Sequence, residues 1–488
     1  MELRPGLKGG QLRVLSEDQV YDIHLAILRV LEEHGVEIHH EATLKILDGA
    51  GADVDFMRQV AKFPEHLVEE SIMKAPKIVR CCGRNPKQDF IVEGRKVYFG
   101  PCAGATHIVD LETGERRFGR LSDMADVAKI SDALPNIDFV MGLTSASDVP
   151  SIMVGLREPY AVMSNTCKHV QAFCYGDGKL TKAMIKMAEL VAGGSDELKK
   201  RPIISLYNEP SSPLIFGSEY VEALVDWSEA GLPLIWAPCP ISGATAPITL
   251  AGSIVQGIAE SLAGNVICQL VNPGVPFIFG SVPLVLDMKS ALVSYGTVET
   301  MIKEVMLAQL AEYYQLPSWG TGGCSDSKVL DEQAVAEAAM NLTIAALSGN
   351  NLVHDVGFIE SAKGGSIELL VICDEIIEML RRIMKGVSVD DETLATGAIM
   401  EAGHGGSFLG LKHTLKYFSS EHLISELMDR TGWVGWKREG EKTLAQRARE
   451  KAKRILKEHE IEPLPKDVKE EIEKIMREVE KAAAKKGA

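Results

Sequence analysis

The chain has 488 residues, 46% hydrophobic and 25% charged, the composition of a globular protein. A formal net charge of −16 argues against nonspecific nucleic-acid binding and favours cationic ligands. Met1 to Gln11 lacks the apolar core of a signal peptide, and no run of about 18 apolar residues is free of charges or breakers, so a cytoplasmic protein without membrane contact is expected.

In chain order, Ser16-Glu-Asp-Gln19 is a capping-box pattern, and Val20, Ile23, Ile27, Val30 and Leu31 follow at helical spacing. A mainly helical extension packed on the rest is expected over residues 1–96. Then one pattern recurs eight times: a short apolar run stops at small and polar residues and gives way to a helical stretch. The runs begin at Val97, Asp138, His169, Ile203, Pro233, Pro276, Pro317 and Asn351. Their spacing of roughly 36 residues suits a strand, a helix and two loops. Apolar strands at this interval belong to a parallel sheet covered by helices, and eight units allow closure, so the expected fold is α/β, a (β/α)8 TIM barrel over 97–435. An open doubly wound sheet is the alternative, but no G-x-G-x-x-G or P-loop follows any strand. From Trp436 the chain is rich in Lys, Glu and Arg with helical periodicity, broken at Pro463-Leu-Pro465. A helical tail or oligomer contact is expected over 436–488. The nine cysteines form no C-x-x-C and no zinc spacing, and read as reduced thiols with no metal site.

In a barrel of this kind the residues just after each strand face the active site. Here they include Phe99, Tyr175, Tyr207, Asn208, Glu209, Trp236, Cys324, Asp326, His354, Asp355 and Phe358. Aromatics are only 6% of the chain, so their density at these ends suggests an aromatic-lined pocket with few acids. Ring faces carry negative potential and suit a quaternary ammonium group, whereas strand ends almost without Arg or Lys suit phosphate esters poorly. His354 and Asp355 are strand neighbours expected to point to opposite sides, which disfavours a direct pair. Lys328 is expected to form a loop salt bridge with Asp326.

At Gly322-Gly-Cys-Ser-Asp-Ser-Lys328 the chain resembles the corrinoid-dependent trimethylamine methyltransferase family, whose archaeal members carry pyrrolysine in a Gly-Ser-pyrrolysine-Ser-Asp-Ala-Lys loop. Cys324 falls on the pyrrolysine position. Gly83-Arg-Asn85, Leu134-Pro-Asn-Ile-Asp138, Gln315-Leu-Pro-Ser318 and Glu368-Leu-Leu-Val-Ile372 also match, and the likeness runs from about Leu15 into the tail. The resemblance implies a barrel that moves a methyl group from an amine to the Co(I) of a separate corrinoid protein. The departure at Cys324 implies a quaternary amine, glycine betaine first, with carnitine, proline betaine and choline-like compounds behind it.

A quaternary nitrogen is already cationic, so attack on its methyl carbon expels a neutral tertiary amine and needs no general acid. On this reading Phe99, Tyr207, Trp236 and Phe358 are walls, His354 and Asn208 are anchors, and Asp326 or Glu209 is the countercharge. Two other readings use the same residues. Cys324, exposed on a glycine-rich loop, could be a nucleophile, or the chain could bind betaines without catalysis, as aromatic cages also do. A homo-oligomer is compatible with the helical tail.

Overall fold

The computed structural model describes residues 3–173 and 178–484; Tyr175 lies outside the described residues. Each of the eight apolar runs contains a strand: β1 Lys96–Phe99, β2 Phe139–Val140, β3 His169–Phe173, β4 Ile204–Asn208, β5 Leu234–Trp236, β6 Phe277–Gly280, β7 Ser318–Thr321 and β8 Leu352–His354. Helices alternate with them: α1 Leu121–Ala133, α2 Ser151–Ser164, α3 Gly178–Ala192, α4 Ser218–Ala230, α5 Leu250–Val271, α6 Val298–Tyr314, α7 Glu332–Ser348 and α8 Ile367–Lys385. Strands β2 to β8 pair in chain order and in parallel, and β8 pairs in parallel with β1 through Val353 and Phe99. The seam between β1 and β2 is closed differently. The Asp138 amide donates to the Phe99 carbonyl at 2.7 Å, and the Asp138 carboxylate accepts the Phe99 amide at 3.0 Å. Arg4 and Arg381 lie 3.0 and 3.4 Å from that buried carboxylate and balance its charge. The molecule is a closed (β/α)8 barrel.

The strands are buried along their length because both faces are covered, by the barrel interior on one side and helices on the other. Helix α5 is long and apolar enough to cross a membrane by length and composition, yet 78% of its apolar window is buried. Its outer face is covered by Glu17–Arg29, Glu41–Gly49 and Glu65–Lys74. The N-terminal segment thus supplies a second layer over the barrel. Its first helix starts as expected: the Ser16 hydroxyl accepts the Gln19 amide at 3.2 Å, while the Gln19 side chain accepts the Ser16 amide at 2.9 Å. The segment also holds short strands, including Val36–Ile38, Val60–Lys62 and the hairpin Ile78–Cys81 with Phe90–Glu93. Three or four residues are too few to register as a period in the sequence.

At the other end, helix Leu444–Glu458 packs on α8 and α1, and helix Lys466–Ala484 packs on α3 and α2. The charged tail therefore wraps its own barrel. Between α8 and this tail lie three short helices, Thr396–Ala402, Lys412–Glu421 and Trp433–Arg438, none with a buried residue.

Candidate active site

The C-terminal ends of the strands converge on a cavity of about 180 Å³, lined by Cys102, Ala103, Gly104, Phe173, Tyr207, Glu209, Tyr295, His354, Asp355, Phe358 and Ala362. Beneath it, rings stack inside the barrel: Trp319 lies parallel to His354 at 4.2 Å between centroids, and Tyr207 packs on both at 4.8 and 5.4 Å. Phe173 meets Tyr207 edge-on at 5.3 Å. These contacts leave the rings little freedom, so the cavity is a preformed aromatic cup. Its volume is below the roughly 300–1,000 Å³ of sites for drug-sized ligands, which restricts it to a compact molecule.

Two carboxyl groups face the cup. Glu209 follows β4 and accepts a hydrogen bond from the Tyr207 hydroxyl at 2.9 Å. Burial pushes its acidity range upward despite that bond. Asp355 is pushed up to about 8, first by burial and then by the nearby Glu209. No Lys or Arg lines the cavity among the described residues. A site with two enclosed carboxyl groups and no cation of its own favours a positively charged ligand.

Contrary to the sequence expectation, His354 and Asp355 meet, with Nε2 and Oδ1 at 3.3 Å. Strand geometry ends at His354, because Asp355 adopts a left-handed backbone with φ 77°, which turns its side chain back over its neighbour. The His354 Nδ1 lies 2.8 Å from the Gly320 carbonyl, an acceptor only, so Nδ1 carries the proton. Burial lowers the His354 pKa to about 3, leaving a neutral ring with an unprotonated Nε2. The 3.3 Å contact is thus between a neutral ring and a carboxyl group that burial keeps largely protonated at neutral pH. His354 orients the acid and, in this tautomer, offers no proton to a ligand.

Cys102, His354 and Asp355 form the single group among the described residues able to hold a metal ion, their ligand atoms lying within 4.8 Å of one another.

Of the nine site residues singled out in the sequence, Tyr207, Glu209, His354 and Phe358 come together on the cavity wall. Asn208 and Trp236 turn outward. The Asn208 amide donates to the Tyr220 carbonyl on α4 at 2.9 Å, and the Trp236 indole donates to the Glu260 carbonyl on α5 at 3.2 Å. Phe99 is buried in the core off the cavity wall. Asp326 also lies off the wall: Tyr295 N, Gly296 N and the Ser361 hydroxyl donate to its carboxylate at 2.8–3.0 Å, and Ser294 adds a fourth contact. It ties three loops together over the barrel. Lys328 reaches the Asp326 carbonyl at 2.7 Å rather than its carboxylate, which those donors already occupy. Cys324 is fully buried beside Asn341, and burial raises its thiol well above the ordinary range. The expected exposed thiol is therefore absent: the loop's glycines let it fold inward under α7 and β8.

Cys102, Phe173 and Tyr295 are lining residues that the sequence reading passed over. Phe173 ends β3, where strand position alone could have found it. Tyr295 lies far beyond β6, returned to the barrel mouth by the hairpin Leu284–Asp287 with Leu292–Ser294.

With this geometry in view, similarity to known proteins can be placed on it. The model of the trimethylamine methyltransferase (MTTB) family matches residues 5–483. The trimethylamine methyltransferase MttB of Desulfitobacterium hafniense is 35% identical over 475 residues, covering 97% of this chain and 95% of that protein. A glycine betaine methyltransferase from the same species is 32% identical over 445 residues, 91% of this chain and 92% of that one. The crystal structure of the Methanosarcina barkeri monomethylamine methyltransferase aligns with a TM-score of 0.47 at 11% identity, over 85% of this chain and 94% of that one. The chain belongs to the trimethylamine methyltransferase (MTTB) family and is a methyltransferase.

Proposed function

We propose that the protein moves a methyl group from a quaternary amine, glycine betaine foremost, to the Co(I) of a corrinoid held by a separate protein, releasing dimethylglycine. The observation that carries this reading is the aromatic cup with two carboxyl groups and, among the described residues, no Lys or Arg on its wall. A cavity of about 180 Å³ holds a small ammonium ion but not a corrin ring, in keeping with a cofactor brought by a partner. That cofactor, when docked, supplies the nucleophile.

The chain's own residues do the rest. Phe173, Tyr207, Tyr295 and Phe358 surround the ammonium head, and Glu209, fixed by Tyr207, is its first countercharge. Positive charge on nitrogen fades as the C–N bond breaks, so these contacts hold the substrate better than the transition state. Acceleration comes from fixing one methyl group toward the barrel mouth and excluding water. Tyr295 is the hydroxyl donor on the wall for the substrate's carboxylate, the role expected earlier of His354.

One observation favours a second substrate. A tertiary amine such as trimethylamine gives up a methyl group, leaving as the neutral secondary amine, only when its nitrogen is protonated, and Asp355, pushed up to about 8, holds a proton at the wall. Calorimetry with glycine betaine, trimethylamine and 3,3-dimethylbutanoate, the carbon analogue that keeps betaine's carboxylate but has an uncharged tert-butyl head, tests the cation site. Betaine is expected to bind at least about tenfold more tightly than this carbon analogue, from a cation–π and countercharge gain of roughly 1–2 kcal/mol. Equal binding of the two would remove the proposal; preference for trimethylamine would move it to the tertiary amine.

A further inference from the structure

Two parts of the cavity wall stand outside the barrel strands: Tyr295 follows the hairpin after β6, and Phe358 and Ala362 lie on the segment after β8. The Asp326 carboxylate, on the loop after β7, joins them. Its Oδ1 accepts the Tyr295 amide at 2.9 Å and the Ser361 hydroxyl at 2.8 Å, while its Oδ2 accepts the Gly296 amide at 3.0 Å and the Ser294 hydroxyl. Each oxygen therefore faces one backbone N–H. Asp326 is itself fixed from α7, where Glu337 accepts the Asp326 amide at 2.8 Å and the Ser325 hydroxyl at 2.6 Å. A Cβ on Gly296 would come within 2.5 Å of the Glu337 carboxyl carbon, so the Tyr295 loop is seated directly on this anchor.

The segment after β8 needs holding. Glu360, Ser361 and Ala362 take left-handed backbone in succession, with φ 54°, 55° and 62°, a conformation that is costly without glycine and persists only where the surroundings over-determine it. The loop after β7 supplies much of that support. The Glu360 amide donates to the Ser327 carbonyl at 2.7 Å, the Ser361 amide to the Ser325 carbonyl at 3.2 Å, and the Ser325 amide to the Phe358 carbonyl at 2.9 Å. Arg116 forks onto the Glu360 carboxylate at 2.7 and 3.0 Å. Of the groups that bind this segment, the Asp326 carboxylate is the one that also accepts the Tyr295 amide.

Phe358 belongs to the cage around the ammonium head and Tyr295 is the donor for the carboxylate, so the distance between their loops decides which separation of the two charges the cavity accepts. We propose that Asp326 is a positioning residue: by holding the Tyr295 and Phe358 segments at one span, it selects the short ammonium-to-carboxylate spacing of glycine betaine over that of longer betaines. This rests on the betaine reading of the cavity. Asp326 lies off the cavity wall and acts through the two loops it joins.

Asparagine keeps one of the two acceptor oxygens, so in Asp326→Asn the new NH2 faces the N–H of either Tyr295 or Gly296, whichever way the amide turns. Calorimetry compares the native chain with this variant and with Ser361→Ala, which cuts only the tie to the segment after β8. The ligands are glycine betaine, its homologue with one more methylene before the carboxylate, and choline. The native chain is expected to bind betaine at least about tenfold more tightly than the homologue, the discrimination one methylene gives at a fitted site. In Asp326→Asn that ratio should fall to about threefold or less, and part of the way in Ser361→Ala, while choline stays within about threefold because Phe173 and Tyr207 stand on strands. A loss shared equally by the three ligands, as general loosening would give, or an unchanged ratio in either variant would overturn the proposal.

Hydrogen exchange on the ligand-free proteins reads the tie without any amine. Amides of residues 294–296 should exchange at least about tenfold faster in Asp326→Asn, with those of β4 as protected as before. Unchanged exchange there would also overturn the proposal. A native chain that binds no betaine would overturn the substrate reading and the selection of betaine with it, while exchange in the variant still decides whether Asp326 holds the loop.

Discussion

At the residue scale the site turns on which way each side chain faces. Tyr207 and Asn208 are neighbours on β4, and alternation lets only one enter the barrel; Tyr207 does, while Asn208 binds α4. Sequence reading selects strand ends but not strand faces, which is why it gathered Asn208 and Trp236 with Tyr207. It also assigned His354 and Asp355 to opposite sides, a rule that fails where the backbone becomes left-handed at Asp355. Glu209→Gln removes the first countercharge and should weaken betaine binding by about 10–100-fold, roughly 1.4–3 kcal/mol. Unchanged affinity in calorimetry would remove Glu209 from that role.

Tyr295→Phe should weaken betaine but leave choline, which lacks the carboxylate, nearly unaffected; equal losses for both would exclude the assigned contact. Because Asp355 is pushed up to about 8, a bound quaternary ammonium favours its ionised form and binding releases a proton below that value. Betaine affinity should rise as pH goes from 6 to 8, by up to about tenfold per unit, and level off above. Asp355→Asn should flatten the profile, and a flat native profile would contradict the assignment. For the empty protein the sign is opposite. A carboxyl raised in the folded state gives stability that is full below its unfolded value and lost as pH climbs to about 8. Cys324→Ser should leave transfer within about twofold, since a buried, protonated thiol is not a nucleophile.

At the element scale the eight strands were legible because full burial makes each a continuous apolar run, and the breaks after them mark the loops. The barrel seam was not. It depends on Asp138, whose carboxylate takes a ladder position and two arginine partners from distant parts of the chain. Removing that carboxylate leaves Arg4 and Arg381 facing each other at the β1–β2 junction. Asp138→Ala should cost about 3–5 kcal/mol, read as a lower urea midpoint with an unchanged slope. A loss under about 1 kcal/mol would show that the seam is held by its backbone contacts alone. Short N-terminal strands and the hairpin that returns Tyr295 also escaped the sequence pattern, because three-residue strands take their register from tertiary pairing.

At the scale of the whole molecule the layers divide the labour. The N-terminal segment covers α5, the tail covers α1 to α3 and α8, and the strand ends that form the cavity are left uncovered by both. The family resemblance was legible in the loop at Cys324, whereas the shape of the cup was not, since it is assembled from β3, β4 and β8, the loops that follow β1, β4 and β8, and the distant loop that carries Tyr295. The most direct measurement is an anoxic mixture of the protein with chemically reduced cob(I)alamin and glycine betaine, with trimethylamine in a parallel cell, followed by the corrinoid's visible spectrum. The account predicts loss of the Co(I) spectrum and one dimethylglycine per methyl transferred with betaine, and none with trimethylamine. Transfer from trimethylamine alone would contradict the quaternary-amine assignment, and no transfer from either, with the cognate corrinoid protein also supplied, would contradict methyl transfer from these amines.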